Sequence, residues 1–330
     1  MSSEKINLIR KEYIANYMGN VEERVGRIER LKRRKNAIIL AHNYQRAEVQ
    51  DIAEFVGDSL ELARKAVDTT SDMIIFCGVD FMAETAAIMN PDKRVFIPDP
   101  GAICPMAQQL PADDLHVAKL EHPDAEVVLY VNTLAESKVL ADCICTSANA
   151  QEIVRAMDTS TILFGPDHNL AYHAQKATTK RIIPVPEHGL CPSHHQIVLE
   201  DLMNAKGAHP EAKIAVHPEC IPEVQDSADY IASTSGMVKI CNEVKATEFL
   251  IGTEIGLLHR LKKELPGKKF YPISDTAVCP QMKIHTLAKI EAALEKEKPE
   301  VVVKKEIMDK ARKPIERMLE ISKKTHSFSS

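Results

Sequence analysis

The chain has 330 residues and is 45% apolar, enough to bury the cores of two or three domains. Lys+Arg 42 against Asp+Glu 47 leaves a net charge of -5, which excludes the basic footprint of a nucleic-acid binder. No window approaches the roughly 18 uninterrupted apolar residues of a membrane span, and residues 1–34 are charged throughout, unlike a signal peptide. A cytoplasmic location follows as the expectation, and there eight cysteines stay reduced, as buried small hydrophobes or as metal ligands.

In chain order, residues 6–34 predict a charged amphipathic helix. An apolar strand at 37–41 ends in His42-Asn43-Tyr44, and Ser59 then lies near a helix start. A strand at 74–76 runs into Gly78 and Asp80, with a helix at 82–89, and Val95-Phe96-Ile97-Pro98 leads to Cys104-Pro105. The series then recurs. A strand at 127–129 ends in Tyr130-Val131-Asn132, followed by Ser147, Gly165, Asp167, Ile182-Ile183-Pro184 and Cys191-Pro192. A strand at 213–216 ends in His217-Pro218-Glu219, followed by Thr234, Gly252, Glu254, Phe270-Tyr271-Pro272 and Cys279-Pro280. Finally Met308, Ala311, Ile315, Met318, Leu319 and Ile321 form the apolar stripe of a last helix, which Pro314 starts or kinks.

These landmarks share one period. The Cys-Pro pairs are 87 and 88 residues apart, the glycines and the acids 87 in both intervals, and the strand-end triplets and hydroxyls 88 and 87. Three homologous units explain this phase. Strands alternating with helices call for parallel sheets covered on both faces. The fold class expected is α/β, with three homologous αβα sandwich domains, each holding a four-stranded parallel sheet, in pseudo-threefold arrangement around a central site. The domains are placed at 1–104, 105–191 and 192–280, with the C-terminal helices of 281–330 packed on the first.

Ligands of open parallel sheets bind beyond the carboxyl ends of the strands, where the phased polar residues sit. Three sheets pointing those ends at a common axis would gather Cys104, Cys191 and Cys279 around one centre. Soft thiolates select zinc, copper(I) or iron–sulfur clusters. Three symmetry-related thiolates match a 4Fe-4S cubane whose fourth iron faces the axial cavity, open to act as a Lewis acid.

Ala41-His42-Asn43-Tyr44-Gln45, Gly57-Asp58-Ser59, the three Cys-Pro pairs and His217-Pro218-Glu219, in this order over nearly the whole chain, resemble the quinolinate synthase family. The resemblance implies a triangular three-domain fold and condensation of iminoaspartate with dihydroxyacetone phosphate to pyridine-2,3-dicarboxylate, with loss of phosphate and two waters. It implies Cys104, Cys191 and Cys279 as cluster ligands, and His42, Tyr44, Tyr130, Asn132, His194, His217 and Glu219 at the substrate. Glu219 and His217 are read as a general acid/base pair, His42 as a further acid-base group and Tyr44 as a gate or proton donor. Ser59, Ser147 and Thr234 are candidates for phosphate and carboxylate binding through hydroxyls and helix N-terminal amides. A transient contact with the enzyme that makes iminoaspartate is the protein partner this implies.

Asp80, Asp167 and Glu254 read as helix-dipole residues outside the site. Cys77, Cys143, Cys145, Cys220 and Cys241 read as structural thiols. Some family members carry a Cys-x-x-Cys-x-x-Cys run ending in the third ligand. Here Ile273 and Thr276 stand at the first two positions, which argues against a thiol switch there. Two other readings share the cluster: an aconitase-like hydro-lyase and a non-catalytic iron–sulfur sensor, although no helix-turn-helix accompanies it.

Overall fold

The computed structural model describes residues 20–327. Residues 6–19 of the first expected helix lie outside that range, and its remainder is helical over 20–34.

Apolar runs build three four-stranded, all-parallel sheets. In the first, β1 (Ala37–His42) and β3 (Met73–Cys77) are central, flanked by β2 (Phe55–Gly57) and β4 (Arg94–Phe96) in the order β2-β1-β3-β4. The second repeats this order with β5 (Glu126–Tyr130), β6 (Cys143–Cys145), β7 (Thr161–Gly165) and β8 (Arg181–Pro184). The third does so with β9 (Lys213–Val216), β10 (Tyr230–Ile231), β11 (Glu248–Gly252) and β12 (Lys269–Pro272). β3, Met-Ile-Ile-Phe-Cys, is buried along its whole length, as a strand covered on both faces must be. On one face of the first sheet Ile28 and Leu31 of the helix 20–34 pack with Ile290 and Leu294 of the helix Leu287–Lys296. On the other lie Leu62 and Phe81, from the helices Ser59–Asp68 and Asp80–Met89.

Pro184 and Pro272 end β8 and β12, and both strands lie at sheet edges, where a residue without an N–H leaves no ladder partner unpaired. Further side chains repeat in step. Glu54, Asp142 and Asp229 accept the amides of Ile39 (2.7 Å), Val127 (2.7 Å) and Ile214 (2.8 Å), pinning the start of each unit's first strand. Lys93, Lys180 and Lys268 each donate to carbonyls at a helix C-terminus, where a cation is favoured.

The C-terminal stretch departs from expectation. The helix Leu287–Lys296 does pack on the first sheet, but the helix Lys305–Ser327 bridges to the second unit. Its Ala311, Ile315 and Met318 are fully buried in the core that holds Cys143, Ile144 and Ile153. Ser322 accepts from Asn149 at 2.8 Å, and Arg317 donates to the Asp142 carbonyl at 3.2 Å. Arg312, donating to the Ile88 carbonyl at 2.7 Å, ties the helix to the first unit as well. The reason lies in the connection: Glu300 forms an antiparallel bridge to Phe96, and Val301 N–H donates to the Val95 carbonyl at 2.8 Å, so the chain leaves along the outer edge of β4. Pro314 sits inside this helix without ending it.

The phased glycines mark close approaches. A Cβ at Gly165 would lie 2.1 Å from the Val185 carbonyl oxygen, whereas one at Gly78 would meet the Phe76 ring at 2.8 Å and one at Gly252 the Val216 side chain at 2.7 Å. Backbone cannot yield as a side chain can. Gly165→Ala is therefore expected to cost about 1–3 kcal/mol and Gly78→Ala less, as measured by urea unfolding of the two variants.

Candidate active site

The carboxyl ends of the central strands face one cavity. His42, Tyr44, Ser59 and Cys104 line it from the first unit, and Tyr130, Asn132, Ser147 and Cys191 from the second. His194, from the turn after Cys191, lines it together with His217, Glu219, Thr234 and Cys279. Every residue singled out from the sequence for substrate or metal contact thus lies on one wall or another. Ser59 and Thr234 are the first residues of ten-residue helices, capped by Asp58 and Ser233, while Ser147 lies in the turn before the helix Ala150–Ala156. Thr234 Oγ1 also accepts from Asn43 Nδ2 at 2.7 Å, joining the third unit to the first.

Glu219 is the electrostatic centre. Its carboxylate receives the Tyr130 hydroxyl at 2.5 Å and lies 2.7 Å from His194 Nδ1 and 3.9 Å from His217 Nδ1. Burial works against its charge, but His194, His217 and the hydrogen bonds from His194 and Tyr130 outweigh that and hold it well below the usual carboxylate range. Burial, with Glu219 nearby, in turn pushes the Tyr130 and Tyr44 hydroxyls well above their ordinary value, so both remain donors at neutral pH. Burial also lowers His42 and His217 to about 3 despite the attraction of Glu219. The rings are fixed by contact: His194 stacks on His217 at 4.6 Å, and His42 meets Tyr44 edge-on at 4.5 Å.

Cys104, Cys191 and Cys279 are free thiols, partly buried, and near enough to interact electrostatically with one another. Burial pushes all three upward, so they keep their protons at neutral pH. Cys191, His194 and Glu219 bring a sulfur, a ring nitrogen and a carboxylate oxygen within 4.8 Å of one another, a group that could hold a metal ion. That trio is mixed, but Cys104 and Cys279 on the same cavity wall add two thiols, and the enlarged donor set fits a soft metal. Asn132 Oδ1 is buried with no partner among the described residues, a polar atom left for a ligand.

Several contributors escaped the sequence reading. Thr253 lies 2.6 Å from the Tyr44 hydroxyl and 2.8 Å from His194 Nε2, and its only signal is that it follows the phased Gly252. Phe81, Met82, Met106 and Met282 line the cavity too, yet their spacing reads as ordinary core.

The family model for the quinolinate synthetase A protein matches residues 26–320. The chain belongs to this family. It is an enzyme, as are its relatives, which sets aside the sensor reading. The quinolinate synthase of Methanocaldococcus jannaschii is 53% identical over 90% of this chain and 98% of its own. That of Pyrococcus furiosus is 54% identical over 92% of this chain and 100% of its own. No described helix is long and apolar enough to cross a membrane.

The buried imidazoles carry a pH signature. His42 and His217 take a proton near 6.5 when unfolded but only near 3 when folded, so between those values the unfolded chain holds more protons. Stability is therefore expected to fall as pH drops below about 6.5, and Glu219, held low when folded, adds to the loss as acid protonates it. His217→Gln should flatten the decline between about pH 6.5 and 4 in urea titrations of the metal-free protein. An unchanged slope would show that His217 is not held neutral.

Proposed function

We propose that this enzyme condenses iminoaspartate with dihydroxyacetone phosphate to pyridine-2,3-dicarboxylate, a step of NAD biosynthesis, with loss of one phosphate and two waters. The observation that carries the reading is the meeting, in one cavity, of three thiols from three units with an ionised carboxylate, neutral imidazoles and tyrosine hydroxyls, in a chain of this family. Cys104, Cys191 and Cys279 would hold a 4Fe-4S cluster. When bound, it supplies a Lewis acid at the iron that no thiolate takes.

The protein's own groups then handle protons and position. Glu219, ionised and buried, accepts a proton as the carbon–carbon and carbon–nitrogen bonds form, and His217 beside it relays the proton onward. The hydrogen bonds that now hold Glu219 low pass to the substrate on binding, which raises its basicity toward the working range. Tyr130 and Tyr44, both held protonated, donate to leaving hydroxyls during dehydration. His42 is a second neutral acceptor on the opposite unit. Ser59 and Thr234 offer hydroxyls beside helix N-terminal amides to phosphate and carboxylate, Ser147 and Asn132 complete the polar wall, and His194 orients Glu219. Phe81, Met82 and Met106 keep water from the imine. Iminoaspartate is made by another enzyme, and a transient contact with that enzyme would deliver it to this site.

Anaerobically purified, cluster-replete protein given both substrates is expected to form the pyridine dicarboxylate, detected by chromatography. Activity on a hydroxy acid in place of that product would favour the aconitase-like alternative. Each of Cys104→Ser, Cys191→Ser and Cys279→Ser should lose the brown iron–thiolate absorption, and full iron and sulfide in any one removes that residue from the ligand set. Glu219→Gln should keep the absorption while turnover falls by about a hundredfold or more; undiminished turnover removes Glu219 from the mechanism.

A further inference from the structure

The acids Asp80, Asp167 and Glu254 do more than start helices. Asp80 Oδ1 accepts the backbone N–H of Cys104 at 2.9 Å, Asp167 Oδ2 that of Cys191 at 3.1 Å, and Glu254 Oε1 that of Cys279 at 3.2 Å. A second tie lies beside each. The N–H of Asp80 donates to the Ala102 carbonyl at 2.8 Å, that of His168 to Gly189 at 2.8 Å, and that of Ile255 to Ala277 at 3.1 Å, in every case two residues before the cysteine. Each ligand loop is thus clamped at two points to the end of its own unit's third strand.

The other oxygen of each carboxylate is engaged as well: by Gln108 Nε2 at 3.1 Å, by the amide of Leu170 at 2.6 Å and by the amide of Gly256 at 2.7 Å. At Asp167 that oxygen caps a helix, and a cap alone would leave the oxygen on the Cys191 amide without a role. Three neighbours close the arrangement into a ring. Gln50 of the first unit donates to the Gly256 carbonyl at 3.0 Å, and Gln225 of the third to the Asn169 carbonyl at 3.1 Å. Lys138 of the second, wholly buried, stands 5.6 Å from the Phe81 ring, next to Asp80. Each unit thereby braces the acid-bearing turn of another.

We propose that Asp80, Asp167 and Glu254 are positioning residues for the cluster, each fixing the amide, and so the thiolate direction, of one cysteine ligand. This rests on the reading that the three cysteines hold a cluster. A group held at three points has no fourth protein ligand to retain it when one loop drifts, so the support behind each thiolate governs how long it stays.

Asp80 is the least buried of the three, so its truncation is expected to disturb the fold least. In anaerobically reconstituted full-length protein, Asp80→Ala is expected to release iron to a chelator about 10–100-fold faster than the parent. Asp80→Asn, which keeps an acceptor for the Cys104 amide, should restore retention to near the parent rate. Asp80→Ser keeps a hydroxyl at the helix start but is too short to reach the loop. It should lose iron as the alanine variant does, and it makes the same distinction where that variant does not fold. A merely structural role would lower the unfolding temperature of the metal-free protein and leave iron release unchanged in both variants, which overturns the proposal. A parent protein that takes up no iron and sulfide at all would overturn the cluster reading itself, a result separable from the first.

Discussion

Parallel strands all end on one side of their sheet, so every loop leaving their carboxyl ends is delivered to the same edge. In this chain three such edges are turned on one cavity, and that geometry explains why residues as distant as His42 and Cys279 share a wall. The strands need only be apolar and short to do this. β1, β5 and β9 are pinned at their starts by Glu54, Asp142 and Asp229, so the side chains at their far ends arrive at matching heights. Ligand loops, strand-end triplets and helix-start hydroxyls all inherit their place from that register.

Gathering buried polar groups around one cavity raises an electrostatic difficulty that the site resolves locally. An ionised Glu219, 4% exposed, sits near three thiols and beside apolar side chains such as Phe81 and Met82. Low effective dielectric makes both the penalty for its charge and the attraction of its neighbours large. His194 and Tyr130 meet the carboxylate directly, and the thiols avoid adding charge by keeping their protons. Three thiolates beside a buried carboxylate would be tolerable only with a strongly positive centre among them, so any metal bound by these thiols would release protons.

The repeat made much of this legible without coordinates. Cys104, Cys191 and Cys279 share a phase, and a shared phase in homologous units implies a shared position about an axis. Three features resisted. The destination of the last helix depends on the edge pairing of Glu300 with Phe96, which no periodicity announces. Thr253, Met106 and Met282 reach the cavity, but a threonine after a strand and methionines in apolar runs carry no signal of their own. Asp80, Asp167 and Glu254 are visible in phase, but a sequence shows a helix start and not which loop a carboxylate oxygen faces. The equivalent positions Gln50, Lys138 and Gln225 hid for another reason: a lysine replaces the amide in the second unit, although its ammonium still serves the turn carbonyl of Thr133.

That mixture of kept and broken symmetry divides the labour of the site. Residues that support the ligand loops repeat: an acid on each cysteine amide, and a glycine at each close approach. The strand-end triplets do not. His42-Asn43-Tyr44, Tyr130-Val131-Asn132 and His217-Pro218-Glu219 occupy one structural position with three different chemistries. The threefold framework places the three cysteine thiols at equivalent positions. The sides of the cavity nonetheless differ, with an ionised carboxylate on one unit, a neutral imidazole on another and a protonated tyrosine between them. Divergence among the triplets, on loops held still by what the repeats retained, supplies that asymmetry without disturbing the axis.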